Sequence, residues 1–554
     1  MKIKSIRVTN FKSLKDTIEI NFSQMCAIIG PNNSGKSNIL NSIYKVIGKD
    51  WVTVNNFDEE DVYNKDEDRD IDIEIEFSDP FRYYPFKDVD PGLISKIKFT
   101  YCRYKVGEFK GQRRLEKKCL TSDDKQVQVL AEKPKLGTSR KYKPVISIPQ
   151  EMQENIPVIF IGADRNLKNQ LPASRNSMLG TLLSEINNNF NKEDNQIDVL
   201  NQDGTYSKVS RKEIFNKHIL EAISVLKTEE FVALEKQIMQ NAMTQLGFEL
   251  DEKLEIYFNP LTSLDFYKSL EIWVNENNFN INATQLGSGF QNAIVISILR
   301  AFEERKKSGA IFLIEEPEMF LHPQMQRSLY KTLRKISETN QVIYVTHSAN
   351  FITIPEFDEI RLVRKDSNGT RVIQSSLSSN IKLKEKFIKE LDPERNELFF
   401  ASRILIVEGD TEKLAFPEYA KRLDFDLDKA GTTIIEVGGK RNILDFVDLA
   451  LSFEIPVAIV YDTDSSDFKD NRTEEERYNE RLESYIDKGV QIFKFSKNYE
   501  AELKKEWTES VYGLYCQQYE KVSKATRARL FACDLKIPIP EFIKPILVWA
   551  ANRS

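Results

Sequence analysis

The stretch GPNNSGKSN, residues 30 to 38, decides the first part of the fold because it fits the pattern G-x-x-x-x-G-K-[ST]. The apolar stretch CAII comes directly before it and predicts a buried strand, and a helix is predicted from about Ser37. The glycines of such a loop let backbone N–H groups wrap phosphate oxygens, and the helix N-terminus adds its dipole. The stretch therefore predicts a phosphate-binding loop between a strand and a helix of an α/β domain.

A bound nucleotide would use most of this stretch. Lys36 is expected to place its charge on the β- and γ-phosphates, and Ser37 is expected to offer its hydroxyl to Mg²⁺. The residues predicted to bind the nucleotide here are Gly30, Asn32, Asn33, Ser34, Gly35, Lys36, Ser37 and Asn38. ATP and Mg²⁺ are therefore the cofactors predicted for this part of the chain.

Two acids extend the predicted nucleotide site. The stretch AIFLIEEPEMFLHP, residues 310 to 323, contains an apolar strand that ends in Glu315 and Glu316. We expect Glu315 to orient Mg²⁺ through water and Glu316 to polarise the attacking water. The alternative is that two acids at a strand end simply face solvent.

Two further motifs supply anion-binding groups. In QLGSGFQN, Ser288 and Gly289 precede a predicted helix, whose N-terminus would bind a second anion. In YVTHS, His347 stands at the tip of the next predicted strand. A histidine there would more often be structural when it stands alone, but in this order it is predicted to sense the γ-phosphate.

A second group of acids follows two apolar strands of the C-terminal part. In VEGDTEKL, Glu408 comes directly after the predicted strand 403–407, and Glu412 lies one helical turn further on. In IPVAIVYDTDSSD, Asp462 and Asp464 end a later apolar strand, and their spacing points both carboxylates the same way. Because the carboxyl ends of parallel strands meet at one edge of a sheet, we expect these four acids to lie together.

Four acids in close quarters require cations between them to stay ionised at neutral pH. Hard oxygen ligands select Mg²⁺, Mn²⁺ or Ca²⁺. Two such ions about 4 Å apart would clamp the attacking and leaving oxygens of a phosphodiester displacement. The acids therefore predict a site for divalent metal ions.

The motifs of the first part, taken in order, resemble the ABC-type ATPase heads of the structural-maintenance-of-chromosomes, Rad50 and RecF families. The opening SIRVTNFKSLKDTIEINF is similar to the first strands of those heads, and EEPEMFLHP and THSANFI resemble the heads of the overcoming-lysogenization-defect (OLD) nucleases. Such heads pair, so the resemblance implies that Ser288 completes a partner's site and that the protein is a homodimer or a higher homo-oligomer. One departure is that Glu315 stands where these heads usually carry an Asp.

A lone Glu after one strand and D-x-D after a later one resemble the Toprim domain, and VEGDTE resembles its OLD version. The OLD resemblance covers nearly the whole chain and implies a further metal-binding acid, for which Glu500 is predicted and Glu502 is the rival. It also implies a late catalytic Lys. No Lys directly precedes Phe531, so Lys524 is predicted for this role; the same basic cluster could instead bind the DNA backbone.

The chain has 554 residues, of which 41% are hydrophobic and 30% charged, which is typical of a protein with sizeable cores and two to four domains. We find no apolar run of about 18 residues and no signal-peptide segment, so no membrane span is expected. Five scattered cysteines without a CxxC pair favour a reducing, cytoplasmic compartment. The net charge of −6 argues against a protein that binds nucleic acid through its overall charge. The basic cluster between residues 521 and 529 would instead supply positive charge locally.

The predicted fold class is therefore α/β, with an ABC-type ATPase domain, a helical insertion and a C-terminal Toprim domain built on a parallel sheet. The predicted boundaries are 1–168 and 266–376 for the ATPase domain, 169–265 for the insertion, 377–400 for a linker and 401–554 for the Toprim domain. The insertion either holds a small core of its own or serves as a dimerisation arm.

The leading interpretation is an ATP-dependent or ATP-regulated DNA endonuclease with a two-metal Toprim site that uses Mg²⁺ or Mn²⁺. In this interpretation Glu316, His347, Glu408, Asp462 and Lys524 are the catalytic residues, and Ser37, Glu315, Glu408, Glu412, Asp462, Asp464 and Glu500 bind metal. The family resemblance implies a setting in bacterial antiphage defence, with a possible partner component. The alternative is an ATP-gated DNA clamp or sensor whose Toprim acids hold a structural metal.

Overall fold

The computed structural model describes residues 1–48, 52–66, 68–86, 89–133, 140–154, 156–163, 167, 171, 177–200, 204–246, 261–276, 279–304, 309–352, 354–366, 369–377, 387, 394–464 and 474–552. The chain divides into two compact units, one formed by Met1–Ile156 with Gly309–Ser554 and the other by Pro157–Ser308. The stretch GADRNL, whose Asp164 and Arg165 belong to a region of the sequence that could reach the nucleotide, is largely outside the described residues, as is most of the predicted linker. The predicted domain boundaries stay predictions.

The first unit contains most of the strands. These are β1 (Ile3–Thr9), β2 (Ile18–Asn21), β3 (Met25–Ile29), β4 (Ile71–Tyr83), β5 (Gly92–Arg103), β6 (Arg113–Leu120), β7 (Gln128–Leu130), β8 (Tyr142–Pro144), β14 (Ile311–Glu315), β15 (Gln341–Val345), β16 (Ile360–Asp366), β17 (Gly369–Gln374), β18 (Arg403–Val407), β19 (Thr432–Glu436), β20 (Val457–Asp462) and β21 (Gln491–Phe495). Its helices are α1 (Lys36–Ile47), α2 (Gln150–Glu154), α8 (Pro323–Ser337), α9 (Asp410–Arg422), α10 (Leu427–Ala430), α11 (Ile443–Ser452), α12 (Glu474–Glu483), α13 (Tyr499–Glu506), α14 (Glu509–Gln518), α15 (Lys524–Cys533) and α16 (Lys544–Ala551).

An antiparallel sheet with the order β2-β1-β4-β5-β6 forms the first layer. The stretch IDIEIEF at the start of β4 alternates between buried apolar and half-buried acidic side chains, as its period of two predicts. This sheet therefore has one face on the core and one face toward solvent.

The phosphate-binding loop follows a strand of a second sheet. Here β3 pairs in parallel with β15 and β16, and β15 pairs in parallel with β14. Every residue of β3 and β15 is buried, which matches their continuous apolar sequences. Parallel pairing brings the carboxyl ends of β3, β14 and β15 to one edge, and the motifs predicted for the nucleotide site begin there.

The C-terminal sheet has the strand order β19-β18-β20-β21, and all of its pairs are parallel. The predicted strand 403–407 coincides with β18, whose five residues are all buried. Val407 pairs with Val460, so the residues that follow these two strands meet at the same edge. The predicted parallel sheet of alternating strands and helices is confirmed.

The second unit is mainly helical. Its helices are α3 (Met178–Phe190), α4 (Arg211–Leu226), α5 (Glu229–Leu246), α6 (Ser263–Lys268) and α7 (Ser288–Glu304), and its strands are β9 (Val158–Ile161), β10 (Gln196–Leu200), β11 (Tyr206–Ser210), β12 (Trp273–Glu276) and β13 (Phe279–Asn282). The antiparallel pair β10–β11 lies within the bounds of the predicted insertion, which was predicted to be helical, and the pair β12–β13 lies beyond it. Leu220, Val225 and Leu234 on α4 and α5 are more than half exposed. Within the described part of the chain, no helix is both long and apolar enough to cross a membrane.

Candidate functional site

The phosphate-binding loop has a shape that requires its glycines. Gly30 and Gly35 have φ values of 145° and 103°, which residues with a side chain rarely adopt. A Cβ atom on Gly30 would lie 2.1 Å from the carbonyl oxygen of Val363, and one on Gly35 would lie 2.6 Å from Ser13 Oγ. The loop therefore excludes a side chain at both positions.

Lys36 crosses its own loop. Its Nζ donates hydrogen bonds to the carbonyl oxygens of Gly30, at 3.0 Å, and Pro31, at 2.7 Å, and the residue is only 5% exposed. Burial lowers the pKa of Lys36 to about 8, against the opposing effect of Glu316 and Glu318. A bound phosphate would therefore supply a negative charge that favours the protonated form of Lys36.

The other predicted residues of the loop surround this lysine. Asn32, Asn33 and Ser37 are exposed, and Asn38 Nδ2 donates to Ser13 Oγ over 2.8 Å. Ser34 Oγ is buried and has no hydrogen-bond partner among the described residues. An unsatisfied hydroxyl inside the loop fits a phosphate or metal-bound water that is bound there.

The acidic strand end and the histidine meet beside this loop. Glu316 adopts a left-handed conformation with a φ of 45°, and its N–H donates to the Val345 carbonyl. His347 Nε2 lies 3.9 Å from Glu316 Oε1. Burial and the charge of Lys36 lower the pKa of His347, which favours the neutral imidazole. Glu315, the predicted magnesium ligand, is the last residue of β14.

Glu318 was missed by the sequence reasoning. Its Oε1 accepts a hydrogen bond from the His347 N–H over 2.5 Å, and its Oε2 is buried without a partner among the described residues. Burial raises the pKa of Glu318. The repeated acids of EEPE were the available signal, because Glu318 lies two residues after Glu316.

Ser288 and Gly289 begin α7 in the second unit, and both are exposed. The neighbouring Phe290 is 49% exposed. This helix end therefore presents its first turn to solvent within its own unit, as an anion-binding terminus for another chain would require.

Most of the acids predicted in the C-terminal part lie around the ends of β18 and β20. Glu408 Oε2 accepts a hydrogen bond from the N–H of Asp462 over 3.2 Å. Glu412 is only 5% exposed, and burial together with Glu408 raises its pKa to about 7. Burial and the carboxylates of Glu412 and Glu408 raise the pKa of Asp462 to about 8. These shifts arise because burial disfavours the charged form of a carboxyl and because the neighbouring carboxylates repel one another.

Glu500 and Lys524 complete this cluster from α13 and α15. Lys524 Nζ lies 2.9 Å from Glu500 Oε2, and its charge lowers the pKa of Asp462 and Glu412. The rival acid, Glu502, instead accepts from the Ser496 N–H and pairs with a surface lysine. The structure thus brings Glu500 rather than Glu502 to the acids.

The basic stretch from 521 to 529 also contains Arg527 and Arg529, but Lys524 is the member that contacts the acids among the contacts that the structure describes. Arg527 Nε donates to the carbonyl oxygen of Tyr519, and Arg529 Nε pairs with Glu418 over 3.3 Å. Although no Lys directly precedes Phe531, a lysine at the start of the same helix therefore lies beside the acids.

Asp464 lies at the margin of the cluster. It has a left-handed φ of 53°, and its Oδ2 lies 3.5 Å from Lys440 Nζ. Lys440, which follows two glycines after β19, is a second residue that the sequence reasoning missed. The pair Gly438-Gly439 after an apolar strand was the available signal for a sharp turn toward the sheet edge.

The donor set fits a divalent ion in its chemistry. The cluster supplies only hard carboxylate oxygens, and Asp462 Oδ1 is buried without a hydrogen-bond partner among the described residues. No group of three or more His, Cys, Asp or Glu side chains in the described part of the chain is already arranged to hold a metal ion. Metal binding would therefore require the carboxylates to turn toward a common point.

A short 3-10 helix, Arg395–Phe400, connects the two groups of residues, and we call it the bridging helix. Asn396 Nδ2 donates to the carbonyl oxygens of Ala349, at 3.0 Å, and Ile352, at 2.9 Å, just after His347. Arg395 donates to the carbonyl and carboxylate oxygens of Glu436 at the end of β19.

A cavity of about 370 Å³ lies beside the bridging helix. It is lined by His347, Ala349, Glu397, Phe400, Ala401, Asp428, Gly431, Thr432 and Thr433. The cavity therefore lies between the residues that follow β15 and the start of β19, which is the end of the C-terminal sheet opposite to the acids.

Comparisons with known proteins match the N-terminal and the C-terminal part of the chain to known domain families. Residues 1–352 match the AAA ATPase domain family, and residues 399–464 match the overcoming lysogenization defect protein-like Toprim domain. The chain is 29% identical to an OLD nuclease of Thermus scotoductus over 494 residues, which are 87% of this chain and 86% of that protein. It is 24% identical to the endonuclease GajA of Bacillus cereus over 446 residues, which are 79% of this chain and 71% of that protein. A solved head domain of a Pyrococcus furiosus Smc protein is similar with a TM-score of 0.38 and 15% identity, covering 70% of this chain and 99% of that one.

Proposed function

Because the chain belongs to the AAA ATPase domain family and carries an OLD-like Toprim domain, as its motifs predict, we propose that it is an ATP-regulated, divalent-metal-dependent DNA endonuclease. The observation that carries this proposal is the cluster of Glu408, Glu412 and Asp462 at the edge of a parallel sheet, with the ion pair of Glu500 and Lys524 beside it. Burial and mutual repulsion raise the pKa values of Glu408, Glu412 and Asp462, and a divalent cation bound among them would offset both effects.

Glu408, Glu412, Asp462, Asp464 and Glu500 are the residues that would hold Mg²⁺ or Mn²⁺. Such an ion would polarise the phosphodiester and lower the pKa of a bound water. The chain itself supplies the rest of the chemistry: the carboxylates orient the metal, and Lys524, a cation beside them, would stabilise the negative charge that develops on the phosphate. The half-buried sheet edge limits water and strengthens these charge interactions.

In the ATPase domain, Lys36 and the backbone of the phosphate-binding loop would bind the β- and γ-phosphates, and Ser37 and Glu315 would hold Mg²⁺. Glu316 is proposed to orient the attacking water, and His347 to contact the γ-phosphate from the facing strand end. Glu318 would hold the His347 backbone in place through their hydrogen bond. The exposed Ser288 would complete the site of a second copy, so we propose a homodimer or a higher homo-oligomer.

The bridging helix is the proposed route by which nucleotide regulates cleavage. Asn396 holds the backbone that follows His347, and Arg395 holds Glu436, from which the chain continues to Gly439. The Gly439 N–H donates to the carbonyl oxygen of Glu408 over 3.0 Å. A shift of the histidine loop on ATP binding or release would therefore reach a predicted metal ligand through few contacts.

The cellular setting is proposed from the family. We propose a cytoplasmic role in bacterial antiphage defence, which the free thiols among the described cysteines would suit, with DNA as the substrate and a possible second defence component as a partner.

The proposal is tested by the nicking and cutting of supercoiled plasmid with Mg²⁺ or Mn²⁺. Asp462→Asn should abolish cleavage because it removes a proposed metal ligand with little change in volume. Asp448→Asn is the matched control, because Asp448 lies on the same domain but contacts Tyr485 and Lys488 instead of the acidic cluster. Cleavage that survives Asp462→Asn would refute the Toprim site. Wild-type protein that binds DNA and ATP but never cuts would favour the alternative, an ATP-gated DNA clamp or sensor.

A further inference from the structure

Lys440 has an unusual position for a lysine. Its side chain is only 6% exposed, although lysine is almost never buried without a partner. Gly438 and Gly439, which have φ values of 71° and 114°, turn the chain sharply after β19. This turn brings Lys440 to the carboxyl end of β20.

The ammonium group of Lys440 has three oxygen neighbours. Nζ donates to the carbonyl oxygen of Asp462 over 2.6 Å, and it lies 3.5 Å from Asp464 Oδ2 and 3.5 Å from Glu475 Oε2. The Tyr461 ring lies 5.5 Å away and covers the group from another side. Lys440 is therefore a fixed cation built into the acidic cluster.

The turn that carries Asp462 and Asp464 depends on such contacts. The N–H groups of Thr463 and Asp464 donate to the carbonyl oxygens of Phe495 and Lys497, each over 3.1 Å. These bonds hold the turn from the β21 side, and Lys440 holds it from the β19 side. Because Asp464 adopts a left-handed conformation, the turn would relax if one side were released.

We propose that Lys440 is a positioning residue of the metal site, which fixes the Asp462–Asp464 turn and offsets part of the repulsion among the carboxylates. This inference rests on the proposed metal-dependent function of the same cluster. Outer contacts that orient metal ligands typically change metal affinity about 10- to 100-fold when they are removed. A lysine that merely competed with the metal would change the affinity in the opposite direction.

The test is direct binding of Mn²⁺ to the full-length, nucleotide-free protein, followed by the electron paramagnetic resonance signal of free Mn²⁺. Lys440→Met should weaken Mn²⁺ binding about 10- to 100-fold, and Lys440→Arg should restore part of it because it keeps both the charge and a donor. Lys494→Met is the control, since Lys494 pairs with Glu483 on the surface of the same domain. In the cleavage assay, Lys440→Met should raise the half-saturating Mn²⁺ concentration more than it lowers the maximal rate.

Unchanged or tighter Mn²⁺ binding by Lys440→Met would overturn the inference. If this variant does not fold, Lys440→Gln takes its place, because it keeps an N–H donor for the Asp462 carbonyl and should bind Mn²⁺ with intermediate affinity. The two proposals fail separately. Wild-type protein that binds Mn²⁺ in a Lys440-dependent manner but never cuts DNA would refute only the nuclease. Wild-type protein that cuts DNA with Mn²⁺ and loses cleavage in Asp462→Asn, but whose Mn²⁺ affinity is unchanged in Lys440→Met, would refute only the role of Lys440.

Discussion

Asn396→Asp should disconnect the nuclease from nucleotide control. The substitution keeps the shape of the side chain but replaces its N–H donors, which bond to the carbonyl oxygens of Ala349 and Ile352, with a carboxylate oxygen. Two hydrogen bonds contribute about 1 kcal/mol each, and a carboxylate buried against two carbonyl groups adds a penalty of about 2 kcal/mol or more. The contact should therefore lose about 4 kcal/mol and open.

This loss exceeds a typical allosteric coupling energy of about 1 to 3 kcal/mol but is smaller than the stability of most domains. Asn396→Asp should therefore remain folded and hydrolyse ATP, while its plasmid cleavage rate no longer responds to ATP. The assay compares cleavage with and without saturating ATP, beside ATP hydrolysis and the melting temperature. The expected ratio of the two cleavage rates is close to one, whichever direction the wild-type response takes.

Arg371→Gln is the control for this experiment. Arg371 forms an exposed ion pair with Glu454 over 2.9 Å and also links the ATPase part to the C-terminal domain, but it does not contact the bridging helix. Exposed ion pairs contribute little, so this variant should keep the wild-type response. An unchanged ATP response in folded Asn396→Asp would refute the reasoning, as would an equal loss in both variants.

Three further outcomes are expected. Gly30→Ala should abolish nucleotide binding in a titration with a fluorescent ATP analogue, because the new Cβ would lie 2.1 Å from the Val363 carbonyl oxygen; normal binding would contradict the loop geometry. Without metal, the melting temperature should fall as the pH rises from about 4.5 to 7. Burial raises the pKa of Glu412 to about 7, so ionising this carboxyl costs up to about 3 kcal/mol more in the folded state than in the unfolded state. Glu412→Gln should make this decline shallower, and an identical pH profile would refute the assignment. Glu500→Gln should reduce metal-dependent cleavage strongly and Glu502→Gln only slightly, and the reverse order in the plasmid assay would favour the rival acid.

The strand ends that carry the chemistry could be predicted from local sequence. The apolar run before Glu408 predicted β18 to the residue, and the apolar run IPVAIVY predicted that Asp462 and Asp464 stand at the end of a buried strand. Buried parallel strands leave this signal because their apolar residues are continuous and their polar groups begin where the strand ends.

The residues that hold these groups in place could not be predicted in the same way. Asn396 contacts the nucleotide side through residues more than 40 positions away, and Lys440 reaches Asp462 across 22 positions. Such contacts depend on how the strands are ordered in the sheet and leave no periodic pattern. Glu318 was missed for a different reason, since its role depends on a backbone N–H, which every residue except proline carries.

The most direct measurement of the central claim is the plasmid cleavage rate of the full-length protein with Mn²⁺ as ATP is titrated, for wild type and for Lys36→Ala. Lys36 contacts the proposed phosphate site and lies far in sequence from the acidic cluster. The account predicts that wild-type cleavage changes with ATP concentration and that Lys36→Ala cuts at one rate throughout. Cleavage by wild type that is independent of ATP, or a response that persists in Lys36→Ala, would contradict it.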